Sequence, residues 1–314
     1  MAEIPLVFPS IERERLEPHL PPPVTDVKDV TSSSSDLPFV TLTFATSLDS
    51  ALSLGPGIRT VLSGPQSKAM THYLRSRHDA ICIGVGTAIA DDPGLNSRLA
   101  ADCPPLETSA SAATAGVGAL LGLAGKSTVD DANHTFTSHQ PRPIIIDPRL
   151  RWNFTPESKV MRLAQSGKGR APYIITTVPQ PPENKRKLLE DIGGKFIVLS
   201  GSQSQNSNTN SYSRRFDWRT ILAAVRNEGL RSIMIEGGGE VINSLLSCEN
   251  SDLVDSVIIT LAPVWLGQGS VFVSPPRKVD PDDPDGRPSA VARLTSTTWV
   301  PLGEDVVLCG KLTP

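Results

Sequence analysis

Met234-Ile235-Glu236-Gly237-Gly238-Gly239-Glu240-Val241-Ile242-Asn243 reads as the end of an apolar strand, a glycine turn and the start of an amphipathic helix. Adjacent glycines free the backbone for positive φ and let it approach a ligand with no Cβ in the way. The segment that follows, Val241-Ile242-Asn243-Ser244-Leu245-Leu246, would turn its N-terminal N–H groups and positive dipole end toward that ligand, which suits a phosphate. The bland reading of the same residues is a tight turn. A second turn upstream shifts the balance: Gly84-Val85-Gly86-Thr87-Ala88-Ile89-Ala90-Asp91-Asp92-Pro93 follows the apolar strand Ala80-Ile81-Cys82-Ile83. Thr87 is placed to cap a helix or bond a phosphate oxygen, and Asp91, one helical turn on, shares its face. The three spaced glycines of the dinucleotide fingerprint are absent, so a standard Rossmann assignment fails. Two glycine turns at strand ends still imply a crevice at the carboxyl edge of a sheet, where open α/β folds bind ligands.

Outward from these turns, short β-forming runs alternate with helical stretches. Phe39–Ala45, Ala80–Ile83, Pro143–Asp147, Tyr173–Thr176, Lys195–Leu199 and Ser232–Ile235 read as strands; Ser67–Arg77, Lys185–Glu190 and Asp217–Glu228 read as helices. Continuous apolar strands alternating with helices predict an α/β fold with a mainly parallel sheet covered on both faces. The C-terminal runs Val254–Ala262 and Val306–Gly310 lack a crossover helix, which predicts an antiparallel edge and a mixed sheet. Their apolar surface predicts a dimer built on that edge, unless the two strands pair with each other. Residues 1–37, with Pro21-Pro22-Pro23 and Ser32-Ser33-Ser34-Ser35, read as a flexible or surface-draped arm ahead of one domain over 38–314. Segments near 101–140, 202–213 and 275–288, rich in small and polar residues or in Asp-Pro pairs, read as mobile surface insertions.

The 314 residues suffice for a large core, and a formal net charge of −3 offers no field for nucleic acid and no polybasic membrane patch. Cys82, Cys103, Cys248 and Cys309 form no C-x-x-C pair, which leaves no zinc knuckle or redox motif and points to a reducing compartment. His72, His78, His134 and His139 show no metal spacing and read as incidental. No apolar run is long enough for a membrane span, and the first residues lack the regions of a signal peptide. The expected address is the cytosol.

The chain resembles the reductase of riboflavin biosynthesis in its single-function fungal form. The resemblance runs over roughly 38–312 and is carried by Thr46-Ser47-Leu48-Asp49, Gly64-Pro65-Gln66-Ser67, Leu74-Arg75, Gly86-Thr87 through Asp92-Pro93 with Leu95, Ile144-Ile145-Ile146-Asp147 and Ile235-Glu236-Gly237-Gly238-Gly239. It implies a dihydrofolate-reductase-like α/β fold of three layers, a homodimer, and NADPH as the reductant for 2,5-diamino-6-ribosylamino-4(3H)-pyrimidinone 5′-phosphate. By the same resemblance Thr87 and Asp91 hold the dinucleotide, and Gly237, Gly238, Gly239 and Glu240 cradle its phosphates. Ala45 lines the nicotinamide side, with Leu199 also near the cofactor. Arg75 and Arg98 match phosphate-binding positions of the related bifunctional proteins, and Leu95 and Glu236 the remaining substrate contacts. Ser50 stands where the family often has glycine, and Lys68 where arginine is common.

The implied reaction is hydride transfer to C1′ of a ribosylamino sugar, for which the protein supplies geometry and a proton. Glu236 and Asp49 are the acidic candidates, with an ordered water as the other source. Arg149 and Arg151, just after the Ile144–Asp147 strand, could meet a 2′-phosphate. Absence of H-x-E and P-C-x-x-C excludes the zinc site of a pyrimidine deaminase. A dihydrofolate or other pteridine reductase would share the fold, and a nucleotide-binding module without catalysis would share the glycine turns.

Overall fold

In the computed structural model the described residues are 6–22, 36–100, 139–200, 217–279 and 288–313. The insertions expected near 101–140 and 202–213 lie outside them almost entirely, as does most of 275–288.

The chain opens with α1 (Ser10–Leu16), then β1 (Phe39–Thr46), β2 (Ala51–Ser53), α2 (Pro65–Ser76), β3 (Ala80–Gly84) and α3 (Val85–Asp91). There follow β4 (Arg142–Ile146), α4 (Lys159–Gln165), β5 (Tyr173–Thr176), α5 (Glu183–Glu190), β6 (Lys195–Val198), α6 (Trp218–Asn227), β7 (Ser232–Glu236) and α7 (Gly239–Leu245). The last strands are β8 (Ser256–Leu261), β9 (Val271–Phe272), β10 (Lys278–Val279), β11 (Pro288–Ser289), β12 (Arg293–Leu302) and β13 (Asp305–Thr313).

A nine-stranded sheet runs β12-β13-β8-β1-β7-β3-β4-β5-β6. From β8 to β6 every pairing is parallel, so the carboxyl ends of these strands share one edge. β7 lies between β1 and β3, with Thr43 opposite Glu236 and Cys82 opposite Ile235. That neighbourhood joins the two glycine turns, because β3 ends in one and β7 in the other.

The period-2 alternation of the strands sorts side chains to two faces. Ala80, Cys82, Ile144, Ile233, Ile235 and Val257 pack with Trp218, Ile221, Leu222 and Val225 of α6 and with Ile242 and Leu245 of α7. Ile81, Ile83, Ile145 and Ile174 face the other way, onto Val160 and Met161 of α4 and Leu189 of α5. Met234 and Ile258 share that second face with Ala69, Met70, Tyr73 and Leu74 of α2. The result is the expected α/β three-layer arrangement. Asp217 starts α6 by accepting from the N–H groups of Arg219 and Thr220, as a helix N-cap does.

Two expectations change. Val254–Ala262 and Val306–Gly310 pair with each other inside the chain, Val306 opposite Leu261 through Gly310 opposite Val257. The surface that suggested a dimer edge is therefore used internally, and the sheet ends instead on β12. That strand has mostly exposed side chains and a register irregularity between Thr295 and Thr298, features that blunt an edge. The second is narrowed: of the flexible and surface-draped readings of the arm, residues 6–22 follow the draped one, carrying α1 with Phe8, Leu16 and Leu20 buried in the cluster with α2. Leu6 pairs with Leu99, and the Phe8 and Tyr73 ring centroids are 5.3 Å apart. Composition hid this because a short charged helix reads as solvated, while three large side chains carry the burial.

Candidate active site

Gly84 and Gly238 are the N-caps of α3 and α7, with φ −78° and −72°. Neither they nor Gly86, Gly237 and Gly239 has positive φ. The expected positive φ is thus not met, and at Gly237 and Gly239 the reason for glycine is lack of room. A Cβ on Gly237 would lie 2.4 Å from Val241 Cγ1, and one on Gly239 would lie 2.7 Å from Val271 Cγ1. A Cβ on Gly238 would stand 3.4 Å from Thr87 Oγ1, whereas Gly86 faces open space. The two turns expected to share a ligand therefore meet, with Thr87 across from Gly238 and Gly84 against Val241. Glu240 is exposed in the first turn of α7.

Asp91 closes α3 one turn beyond Thr87. Its Oδ1 is buried without a hydrogen-bond partner, and desolvation raises its pKa while Arg59 draws it down. A buried acceptor with no donor is costly, and a ligand hydroxyl or amide would satisfy it. The gap beside Gly238 and this orphaned oxygen are what a bound dinucleotide would use, so the residues fit such a group. Ala45 stands at the carboxyl end of β1 beside Thr260. Leu199 follows β6, four strands from β7, about 19 Å along the edge at the usual strand spacing. It can reach only the far end of an extended ligand.

On the α2 side the geometry is made of side-chain pairs. Arg75 grips Glu236 with both arms, Nε to Oε1 at 2.8 Å and Nη2 to Oε2 at 2.7 Å, and its Nη1 donates to the Asn96 carbonyl at 3.2 Å. The side chains are 14% and 22% exposed, so this bidentate pair is mostly withdrawn from water. It answers what balances a carboxylate at the end of an apolar strand. Leu95 is buried with φ 52°, in a loop held by Asn96 Nδ2 on the Lys168 carbonyl at 2.9 Å and by Gln140 bonded to both Ser97 backbone groups. Arg98, next in that loop, has its backbone N–H 3.1 Å from His72 Nδ1 and its Nε 3.2 Å from His72 Nε2.

Asp49, expected as an acid, is held by three donors. Ser47 Oγ donates to it at 2.5 Å, Gly267 N–H at 2.8 Å and Leu266 N–H at 3.1 Å. These bonds lower its pKa to about 2, so it has no proton to give near neutrality.

Sequence reasoning passed over several residues that brace this region. His72 was read as incidental and contacts Arg98; His78 was read likewise and joins α2 to β1 through the Leu74 carbonyl and Thr41 Oγ1. Asp147, quoted only within a motif, accepts from the N–H groups of Arg151 and Trp152 at 2.9 and 2.8 Å and so shapes the loop carrying Arg149 and Arg151. Arg151 lines a cleft of about 330 Å³ with Ala88, Ile89, Asp92 and Asn153. A carboxylate at a strand's end followed by a short loop was the available signal for Asp147. For His72 the signal was its spacing of three from Arg75. Among the described residues no cluster of His, Cys, Asp and Glu could hold a metal ion, and no helix is long and apolar enough to cross a membrane.

The sequence profile of the RibD C-terminal domain matches residues 38–308. A relative from Eremothecium gossypii is 36% identical over 298 residues, 95% of this chain and 94% of that protein, and one from Candida glabrata is 34% identical over 276 residues, 88% and 89%. Both are named 2,5-diamino-6-ribosylamino-4(3H)-pyrimidinone 5′-phosphate reductase. The solved structure of the Saccharomyces cerevisiae riboflavin biosynthesis reductase Rib7 superposes with a TM-score of 0.62 at 29% identity, covering 96% of this chain and 98% of that one. Acinetobacter baumannii RibD matches in fold with a TM-score of 0.58 at 19% identity, over 90% of this chain and 60% of that one.

Proposed function

The chain belongs to the RibD C-terminal domain family, and from that premise we propose how its residues carry the activity. It is a reductase of riboflavin biosynthesis, acting on 2,5-diamino-6-ribosylamino-4(3H)-pyrimidinone 5′-phosphate to give the ribitylamino product. The family's nicotinamide cofactor brings the hydride that is delivered to C1′ of the sugar. The observation that supports the assignment of its seat is the meeting of Thr87 with Gly238 at the β3/β7 edge, with the orphaned Asp91 oxygen one turn further along α3.

In this reading Thr87 and the α7 start hold the cofactor's phosphates, and Asp91 accepts from a cofactor hydroxyl or amide. Ala45 lines the nicotinamide side, while Leu199 touches the far end. The preference is for NADPH, with Arg151, shaped by Asp147 and lining the neighbouring cleft, meeting the 2′-phosphate. The substrate's 5′-phosphate is anchored by Arg98 and by the N–H groups of Arg75 that Glu236 and Asn96 leave over. Glu236, both of whose oxygens accept from Arg75, orients the anchor rather than acting as an acid. Leu95, rigid in its left-handed turn, shapes the wall beside the pyrimidine. The ring oxygen of the sugar takes its proton from an ordered water, since Asp49 is ionised.

Exposed Trp265, Val264 and Leu48, gathered by the bond from Leu48 N–H to the Val264 carbonyl, support a homodimer covering this apolar rim; light scattering should give about twice 33.5 kDa. Unpaired Cys82, Cys248 and Cys309 suit the reducing cytosol, which fractionation tests. The activity itself is tested by following NADPH absorbance. Oxidation is expected with the ribosylamino-pyrimidinone phosphate and not with dihydrofolate; turnover of dihydrofolate alone, or binding of NADPH without turnover, would displace this reading.

A further inference from the structure

His72 and Arg75 leave α2 one turn apart, and positions three apart on a helix share a face. Arg75 meets Glu236, and His72 meets Arg98 through both of its nitrogens: Nδ1 lies 3.1 Å from the Arg98 backbone nitrogen, and Nε2 lies 3.2 Å from Arg98 Nε and 3.0 Å from Nη2. The Arg98 carbonyl is held from the opposite side by the Leu6 N–H at 2.9 Å. Ser97 Oγ ties the loop once more to the His72 carbonyl at 2.8 Å.

We propose that His72 is a positioning residue for the substrate's phosphate: it seats the Arg98 guanidinium, fixes the backbone of the same residue, and hands the guanidinium over when the anion arrives. This rests on the reading of Arg98 as a phosphate anchor. An imidazole among cations can do this only while uncharged. Burial first, then Arg75, Arg98 and Lys159, lower the pKa of His72 to about 2 against a hydrogen bond with the Asn96 backbone that raises it, so it is neutral wherever the enzyme works.

A neutral imidazole has one lone pair to offer. Its two contacts with Arg98 therefore belong to two tautomers. With the proton on Nδ1, Nε2 accepts from the guanidinium and holds it at rest. With the proton on Nε2, Nδ1 accepts from the Arg98 N–H, and the ring no longer holds the guanidinium. A phosphate dianion is a stronger acceptor for guanidinium than a neutral ring nitrogen. Its arrival draws the guanidinium away while the backbone contact takes its place, and the new Nε2–H faces the incoming oxygens. The anchor is ordered before binding, which spares the rotamer entropy of a free arginine. The exchange moves one proton between two nitrogens and needs no other reactant.

The test uses the full chain with His72→Ala, His72→Leu, His72→Gln, Arg98→Ala and the double variant His72→Ala/Arg98→Ala. Each is assayed with the phosphorylated substrate and with its dephosphorylated counterpart. His72→Ala is expected to raise KM for the phosphorylated substrate about tenfold, with kcat at saturation, cofactor affinity and KM for the dephosphorylated compound nearly unchanged. His72→Gln, whose Oε1 replaces the Nε2 acceptor, is expected to recover most of the loss. The double variant should be no worse than Arg98→Ala alone, because the ring acts through that residue.

If His72→Ala does not fold, His72→Leu keeps the volume without the acceptor and serves in its place. Ring-nitrogen NMR shifts of the native protein are expected to move from the Nδ1–H to the Nε2–H pattern on adding inorganic phosphate. Three results overturn the proposal: equal KM changes with both substrates, no recovery in His72→Gln, or a tautomer indifferent to phosphate. If Arg98→Ala leaves KM unaltered, the phosphate reading of Arg98 itself has failed. If Arg98→Ala raises KM and neither His72→Ala nor His72→Leu does, only the role of His72 has.

Discussion

The two walls of the crevice are made from opposite materials. At the β3/β7 edge the proposed seat consists of missing side chains, with Gly238 opposite Thr87 and Gly86 facing open space. On the α2 side it consists of long side chains gripping one another, Arg75 on Glu236 and Arg98 on His72. A wall of backbone is stiff by construction and is sensitive to added atoms. A wall of paired side chains is sensitive to lost ones, and it must be braced from behind. The bracing comes from residues 6–22, which bury Phe8, Leu16 and Leu20 against α2 and pair Leu6 with Leu99.

The contrast breaks most visibly at that brace. Phe8 is 1% exposed and packs on Tyr73, so Phe8→Ala is expected to cost about 3 kcal/mol of stability, as large core truncations do. Substrate KM should rise with it while cofactor affinity holds, because only the paired wall leans on the arm. Urea unfolding and the two affinities measure this. Loss of cofactor binding alone would show that the arm supports the other wall.

Added atoms test the glycine wall. Gly238→Val fills the space before Thr87 and is expected to weaken cofactor binding on the order of 100-fold, or about 2.7 kcal/mol, with the fold kept. Fluorescence titration reads the affinity, and an unaltered value removes the phosphate seat from this turn. Gly237→Ala should behave differently, since its Cβ would meet Val241 at 2.4 Å. It should lower the melting temperature as well as the affinity.

What the sequence revealed divides along the same line. A glycine cluster after an apolar strand is a local signal, complete within ten residues, and it picked out the turn that meets Thr87. Arg75 and Glu236 are 161 positions apart, and nothing in the neighbourhood of either encodes the other. Both were named as site residues, yet their pairing needed the fold. His72 was missed because its spacing of three from Arg75 is a weak mark by itself; its contact with Arg98 comes from a loop that folds back from 26 residues away. The strands of the parallel sheet were legible because burial on both faces makes them uniformly apolar. β12, mostly exposed, and α1, with Glu12, Arg13, Glu14 and Arg15 inside one short helix, carried no such signature.

The paired wall can be broken from within. Arg75→Ala leaves the Glu236 carboxylate in a mostly dry site without its partner, an arrangement expected to cost about 2 kcal/mol. Substrate KM should rise about tenfold with cofactor affinity kept. Arg75→Lys should rescue little, because an ammonium is a point charge and cannot reproduce the two parallel bonds. Full recovery in the lysine variant would show that charge, not the fork, is what the site uses.

Acid probes the same wall without mutation. Burial is the leading cause that lowers the pKa of His72 to about 2 and of His78 to about 4, against 6.5 for an unfolded histidine. Below pH 6.5 the unfolded chain takes up protons that the native one refuses, so stability falls as pH drops. Each group contributes up to about 1.4 kcal/mol per pH unit, with His78 levelling off below about 4 and His72 only near 2. Between pH 6.5 and 5 most carboxylates stay ionised, and urea midpoints there should decline. A flat profile would mean that these histidines are not buried neutral.

The smallest effect is expected at Asp49, and it separates a clamp from a catalyst. Its oxygens tie the turn after β1 to Leu266 and Gly267, alongside the bonds from Leu48 N–H to the Val264 carbonyl and from Val273 N–H to the Ser50 carbonyl. Asp49→Asn keeps one acceptor oxygen and leaves those parallel ties in place. Turnover should stay within about threefold of the native rate, with the acid limb of the pH–rate profile unmoved, because a group ionised down to about pH 2 contributes no titration near neutrality. A fall of about 100-fold together with loss of a pH limb would return Asp49 to the role of proton donor and displace the water. A rate that barely changes keeps Asp49 in the clamp and is the outcome expected if the proton comes from solvent.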